Sequence, residues 1–297
     1  DGIPADHIAT VGPEVLTGGG LGVLTAETSE AFTAGLIWQP EFADVSFSID
    51  YFDILVEDEV DSIGGREIVA GCYDSPFFPN EPLCAQFDRD PPSAALPNAI
   101  TTIRDSFINV SKQQLRGMDI AAQWVTELPG TWGTFSADTQ WTLSFEDTIA
   151  LFDDTEEDLS GEAGHPETVG NVNFALLREN WTFNWGVQYI GETDNFASFG
   201  RNTVTYVFGS DSAGGGSVVE IDLTAEATIY HSVSAAYHFD NGLTARVGVA
   251  NLLDELPPRM TNQGTGSEVN VLGQVAFYSQ YDWLARRAFL NLTMDFD

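Results

Sequence analysis

Long stretches of the sequence alternate between apolar and polar residues with a period of two. Between 135 and 145, Phe135 and Trp141 belong to an apolar series at odd positions, while Asp138 and Gln140 belong to a polar series at even positions. The longest run, 221–239, far exceeds the five or six residues usual for a globular strand. Almost no helical periodicity appears, so the pattern predicts an all-β protein whose strands have one apolar and one polar face.

The positions of these runs predict nine strands. They cover about 30–39, 45–57, 101–127, 132–147, 166–178, 180–192, 220–239, 242–253 and 285–297. Short polar turns alternate with four long loops at 58–100, 148–165, 193–219 and 254–284. This layout is typical of a transmembrane antiparallel β-barrel of the outer membrane, and a soluble β-sandwich or propeller is the alternative. We predict a barrel segment at 30–297, preceded by an extracellular loop and strand entry at 1–29.

The surrounding solvent decides which face of each strand points where. In a lipid-embedded barrel the apolar positions face hydrocarbon, the polar positions face a wet lumen, and aromatic residues gather near the two interfaces. We interpret six aromatic residues as such a girdle rather than as ligand-binding residues: Trp124, Trp132, Trp141, Trp181, Trp185 and Tyr189.

The chain is strongly acidic. Its 297 residues include 45 Asp and Glu against 11 Lys and Arg, which gives a formal net charge of -34. This excess makes nucleic acid a poor partner. An aromatic content of 12% is too high for a disordered acidic tail. We expect the acidic residues in the loops and on the lumen-facing half of each strand, where water solvates them.

Four segments resemble the C-terminal part of the barrel of TonB-dependent outer-membrane receptors. Residues 27–40 (ETSEAFTAGLIWQP) and 45–54 (VSFSIDYFDI) are similar to two consecutive strands of that family, and 115–120 (LRGMDI) to its R-G-x-D/E strand signature. The segment 251–258 (NLLDELPP), followed by Tyr281-Asp282 and by 286–296 (RRAFLNLTMDF), resembles the family's terminal strand. The chain departs from the pattern at Leu253, where Phe is usual, and at Asp297, which follows the usual final Phe.

The resemblance implies that the nine strands are the last of a 22-stranded barrel. The remaining strands and the plug domain then lie outside this chain, because an open sheet would leave unpaired backbone groups in hydrocarbon. The implied partners are outer-membrane lipid and lipopolysaccharide, the remainder of the barrel, and the TonB–ExbB–ExbD machinery acting through the plug domain. The expected barrel-assembly signal of the terminal strand comprises Phe289, Leu292 and Phe296.

The family implies uptake of a scarce, bulky nutrient, either an oligosaccharide or a metal chelate of the siderophore class. A structural or adhesive barrel without energised transport and a soluble extracellular β protein are the alternatives. Because the chain has few basic residues, its charge favours binding of a neutral or cationic cargo over an anionic siderophore. No catalytic constellation is evident, so we do not expect an enzyme. Candidate cargo contacts are aromatic residues of the long loops: Phe77, Phe78, Phe87, Phe199, Tyr206, Tyr278 and Trp283.

Two further features lie in the loops. Cys72 and Cys84 are 12 positions apart; we predict a disulfide, which requires an oxidising compartment, with two free thiols as the alternative. An acidic cluster without Lys or Arg can hold Ca²⁺ for loop ordering or for bridging to lipopolysaccharide. A solvated acidic loop is the favoured alternative, because the cluster lacks the D-x-D-x-D-G spacing of a calcium loop. The candidate ligands are Asp153, Asp154, Glu156, Glu157 and Asp158. No other cofactor is expected.

Overall fold

The computed structural model describes residues 12–19, 24–150, 156–196, 203–206, 217–220, 222–260 and 280–294. It contains one α-helix, α1 (Gly65–Asp74), and a 3-10 helix (Pro82–Gln86). The strands are β1 (Glu14–Thr17), β2 (Thr28–Trp38), β3 (Val45–Asp61), β4 (Phe87–Arg89), β5 (Ile100–Asp105), β6 (Ile108–Glu127), β7 (Thr134–Ala150), β8 (Glu156–Asp158), β9 (Thr168–Arg178), β10 (Trp181–Ile190), β11 (Thr193–Asp194), β12 (Thr203–Tyr206), β13 (Ser217–Glu220), β14 (Thr224–Ala225), β15 (Thr228–His238), β16 (Leu243–Ala250) and β17 (Arg287–Met294). No helix within the described ranges has the length and apolarity to cross a membrane.

One large sheet contains nine strands in the order β17-β16-β15-β10-β9-β7-β6-β3-β2, with β8 added beside β7. Each strand of this path neighbours the next one along the chain, so the sheet is an up-and-down meander. The pairs from β7 to β17 are antiparallel and in continuous register. The predicted all-β antiparallel fold with nine strands is confirmed, and β2 and β17 form the two edges of an unclosed sheet.

The structure corrects several predicted strand and loop bounds. The predicted strand 101–127 is broken at 106–107, and its first part, β5, belongs to a different sheet. The predicted loop 58–100 contains α1, the 3-10 helix and β4. The predicted strand 220–239 shortens to β15. Before it, Ala225 pairs with Thr193 in the short ladder of β11 and β14, and the Leu223 carbonyl accepts from the Asn195 N–H. Leu223 and Ala225 are buried there, at 2% and 0% exposure. Period-two alternation does not distinguish a barrel strand from such a short ladder.

The chain divides into two compact units. The first comprises 1–30, 54–114 and 149–157, and the second comprises 31–53, 115–148 and 158–297. The loop between β3 and β6 contributes β4 and β5 to a three-stranded sheet of the first unit. The strand order is β1-β5-β4, with β1, from the residues before β2, parallel to β5. We call the residues 62–107 of this unit, together with β1, the loop module.

The helix of the loop module packs through one face. It begins after Gly64, whose φ of +93° suits glycine, and the N–H of Gly64 donates to a carboxylate oxygen of Asp105 at 3.0 Å. Ile68 and Cys72, four residues apart and therefore on one face, are only 2% and 1% exposed. Burial of this face joins the helix to the sheet of the module.

A single amide joins three segments of the first unit. The Asn109 side chain accepts a hydrogen bond from the Thr25 N–H at 2.8 Å and donates to the carbonyl oxygens of Thr25 and Asp58 at 3.0 and 2.6 Å. Asn109 thereby links the start of β6, the residues before β2 and the end of β3. The side-chain amide thereby gives backbone groups of Thr25 and Asp58 hydrogen-bond partners.

The second unit contains a sheet with one apolar and one polar face. The register places Leu176, Phe183, Ala235 and Val247 in one row across four strands, so their side chains share the apolar face. The neighbouring row, which includes Asn184 and Ser234, belongs to the polar face. The apolar face is solvent-exposed in this chain, with Trp185, Val247 and Leu290 at 45%, 54% and 66%. It is therefore not the interior of a soluble protein.

Candidate functional site

An arginine and three aromatic rings form a cluster in the loop module. The Arg89 guanidinium lies 5.6 Å from the ring centroid of Tyr73 and 5.5 Å from that of Phe87, and it donates to the Tyr73 hydroxyl and the Asn98 carbonyl. The ring of Phe78 lies 5.1 Å from that of Tyr73. Phe78 and Phe87, both candidate cargo contacts, are thus used in packing within the module.

Phe77 is the most exposed candidate of this segment. Its side chain is 71% exposed, and its N–H donates to the Ser75 hydroxyl at 3.1 Å. That hydroxyl donates to a carboxylate oxygen of Glu81 at 2.7 Å. Hydrogen bonds therefore hold the backbone beneath Phe77, while its ring is exposed to solvent. A role of Phe77 in cargo contact stays a prediction.

The disulfide predicted between Cys72 and Cys84 is present. It joins the buried end of α1 to the 3-10 helix, with Cα atoms 4.8 Å apart. The bond closes the segment that carries Phe77, so this loop is tied at both ends. No local sequence pattern singles out Tyr73 or Arg89, because their partners become neighbours only when the three-stranded sheet forms.

The remaining candidate cargo contacts are more scattered. Trp283, before β17, is 41% exposed. Only the backbone of Tyr206 is described, at the end of β12. Phe199 and Tyr278 lie outside the described residues. A role of these four residues in cargo contact stays a prediction.

The polar face of the second unit bears a row of amide side chains. The register places Gln140 opposite Asn171, and Asn171 opposite Gln188 on the next strand. They line a recess of about 630 Å³ together with Tyr230 and Ser232. Such a surface offers neutral donors and acceptors and little charge.

The two charged residues that line this recess form an ion pair with each other. Arg287, which lines the recess, donates to both carboxylate oxygens of Asp282 at 2.7 and 2.8 Å. Asp138 accepts from the Asn173 amide at 2.9 Å. The lining of the recess thus carries no net formal charge, while Asp138 beside it is negative.

The acidic loop forms a short strand rather than an evident metal site. Glu156, Glu157 and Asp158 are exposed along β8. Hydrogen bonds from the hydroxyl and the N–H of Ser160 hold the pKa of Asp158 below its usual value. No three Asp, Glu, His or Cys side chains converge in the part of the chain that the structure describes. Asp153 and Asp154 lie outside that part, so Ca²⁺ binding stays a prediction.

Two aromatic bands flank the apolar face. At the short-turn end, Trp181 lies opposite Tyr237 with ring centroids 4.8 Å apart. At the other end, Trp141 lies 5.6 Å from Tyr189. Trp181 and Tyr189 are eight residues apart. This separation is ~27 Å along a strand and ~20 Å along the normal at a barrel tilt of ~40°, close to the apolar band of about 25 Å in outer-membrane barrels.

The other predicted girdle residues divide between the bands and the space between them. Trp124 and Trp132 are exposed near short turns, at 47% and 61%. Trp185 lies between the bands, where its ring is 5.1 Å from that of Phe174. The girdle is therefore formed by the other five predicted aromatic residues, and Trp185 belongs to the apolar surface that they enclose.

The predicted assembly signal falls on both faces of β17. Leu292 is on the apolar face and 62% exposed, opposite Ala245. Phe289 is on the polar face, opposite Gly248. Phe296 lies outside the described residues. A role of these three residues in assembly stays a prediction.

Comparisons with known proteins agree with this arrangement. A family model described as "TonB dependent receptor-like, beta-barrel" matches residues 11–252. No curated protein matches the sequence. A solved complex of the ferric enterobactin receptor PfeA with BCV-L6 has a TM-score of 0.55 at 17% identity, covering 91% of this chain and 31% of that chain. A mutant of PfeA from Pseudomonas aeruginosa has a TM-score of 0.54 at 16% identity, covering 92% and 32%.

A third similar structure is the ferripyoverdine receptor of the Pseudomonas aeruginosa outer membrane bound to ferripyoverdine. It has a TM-score of 0.51 at 14% identity, and the match covers 91% of this chain and 27% of that chain. At these identities the likeness concerns the fold. The chain spans about a third of the length of the structures it matches. From the family match and the nine-strand sheet, the chain belongs to the TonB-dependent receptor-like β-barrel family and is a segment of an outer-membrane β-barrel.

Proposed function

We propose that this chain supplies barrel wall and extracellular loops to an outer-membrane receptor that imports a bulky nutrient. In this proposal, TonB–ExbB–ExbD provides energy through a plug domain outside the chain. Family membership supports receptor and transport function rather than enzymatic activity. The long connections, including the loop module, are then the extracellular side, and the short turns face the periplasm.

The observation that carries the cargo proposal is the amide row of the polar face. Gln140, Asn171 and Gln188 present carboxamide groups side by side on three neighbouring strands. Amides donate and accept at once, as do sugar hydroxyls, so the row suits a neutral polyhydroxylated cargo. Oligosaccharide is therefore the first cargo class of the proposal.

A second cargo class rests on the similar structures. Receptors named for ferric enterobactin and ferripyoverdine share the fold, so a ferric siderophore is the competing cargo. Against it, the basic residue at the recess, Arg287, is already paired with Asp282. An anionic chelate would have to disrupt that pair or rely on residues outside this chain.

Uptake by the full-length receptor tests the proposal. Cells that express it are offered labelled neutral oligosaccharides or ferric siderophores, with and without TonB. We expect TonB-dependent oligosaccharide uptake that falls when Asn171 and Gln188 are both changed to Ala, whereas Asn291→Ala, on the polar face of β17 outside the recess, leaves it unchanged. Uptake of the siderophore instead would reject oligosaccharide as the cargo. Surface binding without TonB-dependent entry would favour an adhesive barrel.

A further inference from the structure

An arginine lies at the lipid-facing boundary of the sheet, against an aromatic ring. Arg178 ends β9 on the side of the short turns, and its guanidinium carbon lies 5.3 Å from the centroid of the Trp132 ring. Arg178 is exposed, and Trp132 is 61% exposed. Within the described ranges Arg178 forms no ion pair, although the chain has about four acids for each basic residue.

The register places this arginine at the level of the aromatic band. Arg178 lies opposite Trp181, which in turn lies opposite Tyr237. All three side chains belong to the apolar face, because Arg178 and Trp181 are two residues from Leu176 and Phe183, respectively, along their strands. Aromatic bands mark the headgroup level of a membrane, so the guanidinium lies where lipid phosphates lie.

An apolar groove begins next to this position. It has a volume of about 760 Å³, with the aromatic side chains of Phe174 and Trp185 along one side and Val233, Ala235 and Val247 among its small floor residues. Leu176, which also lines it, is two residues from Arg178, or ~7 Å along the strand. The groove therefore extends from headgroup level into the hydrocarbon layer.

We propose that Arg178 and this groove form a binding site for one anionic glycerophospholipid of the periplasmic leaflet. The guanidinium, held against Trp132, donates hydrogen bonds to the phosphate oxygens, and one acyl chain lies along the groove. Arginine suits this role because its planar fork pairs with phosphate and its hydration is weaker than that of lysine. Charge complementarity identifies the occupant as a lipid with net negative charge, such as phosphatidylglycerol.

Lipid binding by the full-length receptor tests the proposal independently of cargo uptake. The delipidated protein is titrated with phosphatidylglycerol, phosphatidylcholine or lipid A, and native mass spectrometry counts the bound molecules. We expect one tightly retained phosphatidylglycerol. Arg178→Gln should weaken it about fivefold, the effect of one basic residue at a membrane surface, while Arg246→Gln, on the opposite face of β16, should leave its affinity unchanged.

A second pair of variants tests the groove. Ala235→Phe places a ring on the groove floor and should displace the lipid, whereas Ala245→Phe adds the same ring to the same face outside the groove and should not. Equal binding of phosphatidylcholine, preference for lipid A, or equal effects of the two members of either variant pair would overturn the proposal. Heat-modifiable electrophoresis of each variant separates a lost site from a barrel that failed to fold.

Discussion

The ring of Phe289 lies directly over Gly248 on the neighbouring strand. A Cβ atom at position 248 would come within 2.4 Å of the ring Cζ and 2.8 Å of the Val233 carbonyl oxygen. The glycine leaves room for the aromatic ring, and the ring covers the backbone that the glycine would expose. This pair fixes how β17 packs on β16.

Gly248→Ala should therefore destabilise the sheet. We expect a loss of about 1–3 kcal/mol in the free energy of unfolding, because the ring or the strand must shift. Urea unfolding of the full-length receptor in detergent measures it by tryptophan fluorescence. Gly186→Ala is the control, since a Cβ there would meet only the end of the Asn173 side chain, at 3.2 Å. Equal stability of the two variants would contradict the assigned packing.

Loss of the disulfide should loosen the loop module. Replacing Cys72 and Cys84 with Ser removes a cross-link over 12 residues, and we expect a loss of about 2–4 kcal/mol in module stability. Limited proteolysis should then cut near Phe77 sooner than in the parent protein. The parent treated with reductant should show the same sites, and unchanged cleavage in both would show that the disulfide does not stabilise the module.

The stability of the loop module should also depend on pH. Hydrogen bonding to Arg104 holds the pKa of Asp88 below its usual 3.8. The Asp88 carboxylate therefore stays charged to lower pH in the folded module than in the unfolded chain. The stabilisation from its pairing with Arg104 is complete above pH 3.8 and is lost as the pH falls through the lower folded pKa. Asp88→Asn should lower the melting temperature of the module at pH 7, and the difference from the parent should shrink as pH falls below 3.8. Asp90→Asn is the control, and a pH-independent difference would contradict this ion pair.

Phe77 should contribute to cargo binding at the cell surface. Its ring is 71% exposed on a backbone fixed by Ser75, so we expect Phe77→Ala to weaken binding by roughly 5- to 10-fold, in the range of one stacking contact. Equilibrium binding of labelled cargo to the full-length receptor measures this. Phe42→Ala removes an even more exposed ring, 84%, in the short turn between β2 and β3. Similar losses in the two variants would argue against a specific contact at Phe77.

The large sheet could be predicted because its energetics are local and periodic. Lipid on one face and water on the other impose alternation on every strand, as between Phe135 and Phe145, and the loop lengths then give the direction of each strand. Where a short turn joins two strands, the register follows from the turn and the same alternation, as for Leu176 opposite Phe183. The number and order of the nine strands can therefore be predicted without knowledge of contacts between distant parts of the chain.

The loop module could not be predicted in this way. Its sheet depends on a parallel pairing of Val15 with Ile103, a contact between distant parts of the chain that no local period encodes. Helix α1 has ten residues and contains two glycines, Gly65 and Gly71, which weaken the helical signal. The arginine cluster around Tyr73 exists only once these elements meet.

Residues 62–107 of the loop module lie between β3 and β6, and this position has an evolutionary consequence. These two strands are direct neighbours in the large sheet, so residues 62–107 leave and rejoin it at adjacent points, as an insertion in a hairpin does. Segments joined in this way can be exchanged with little change to the host framework. Residues 62–107 can therefore change in sequence together with their partner β1, while the membrane-spanning strands keep their register.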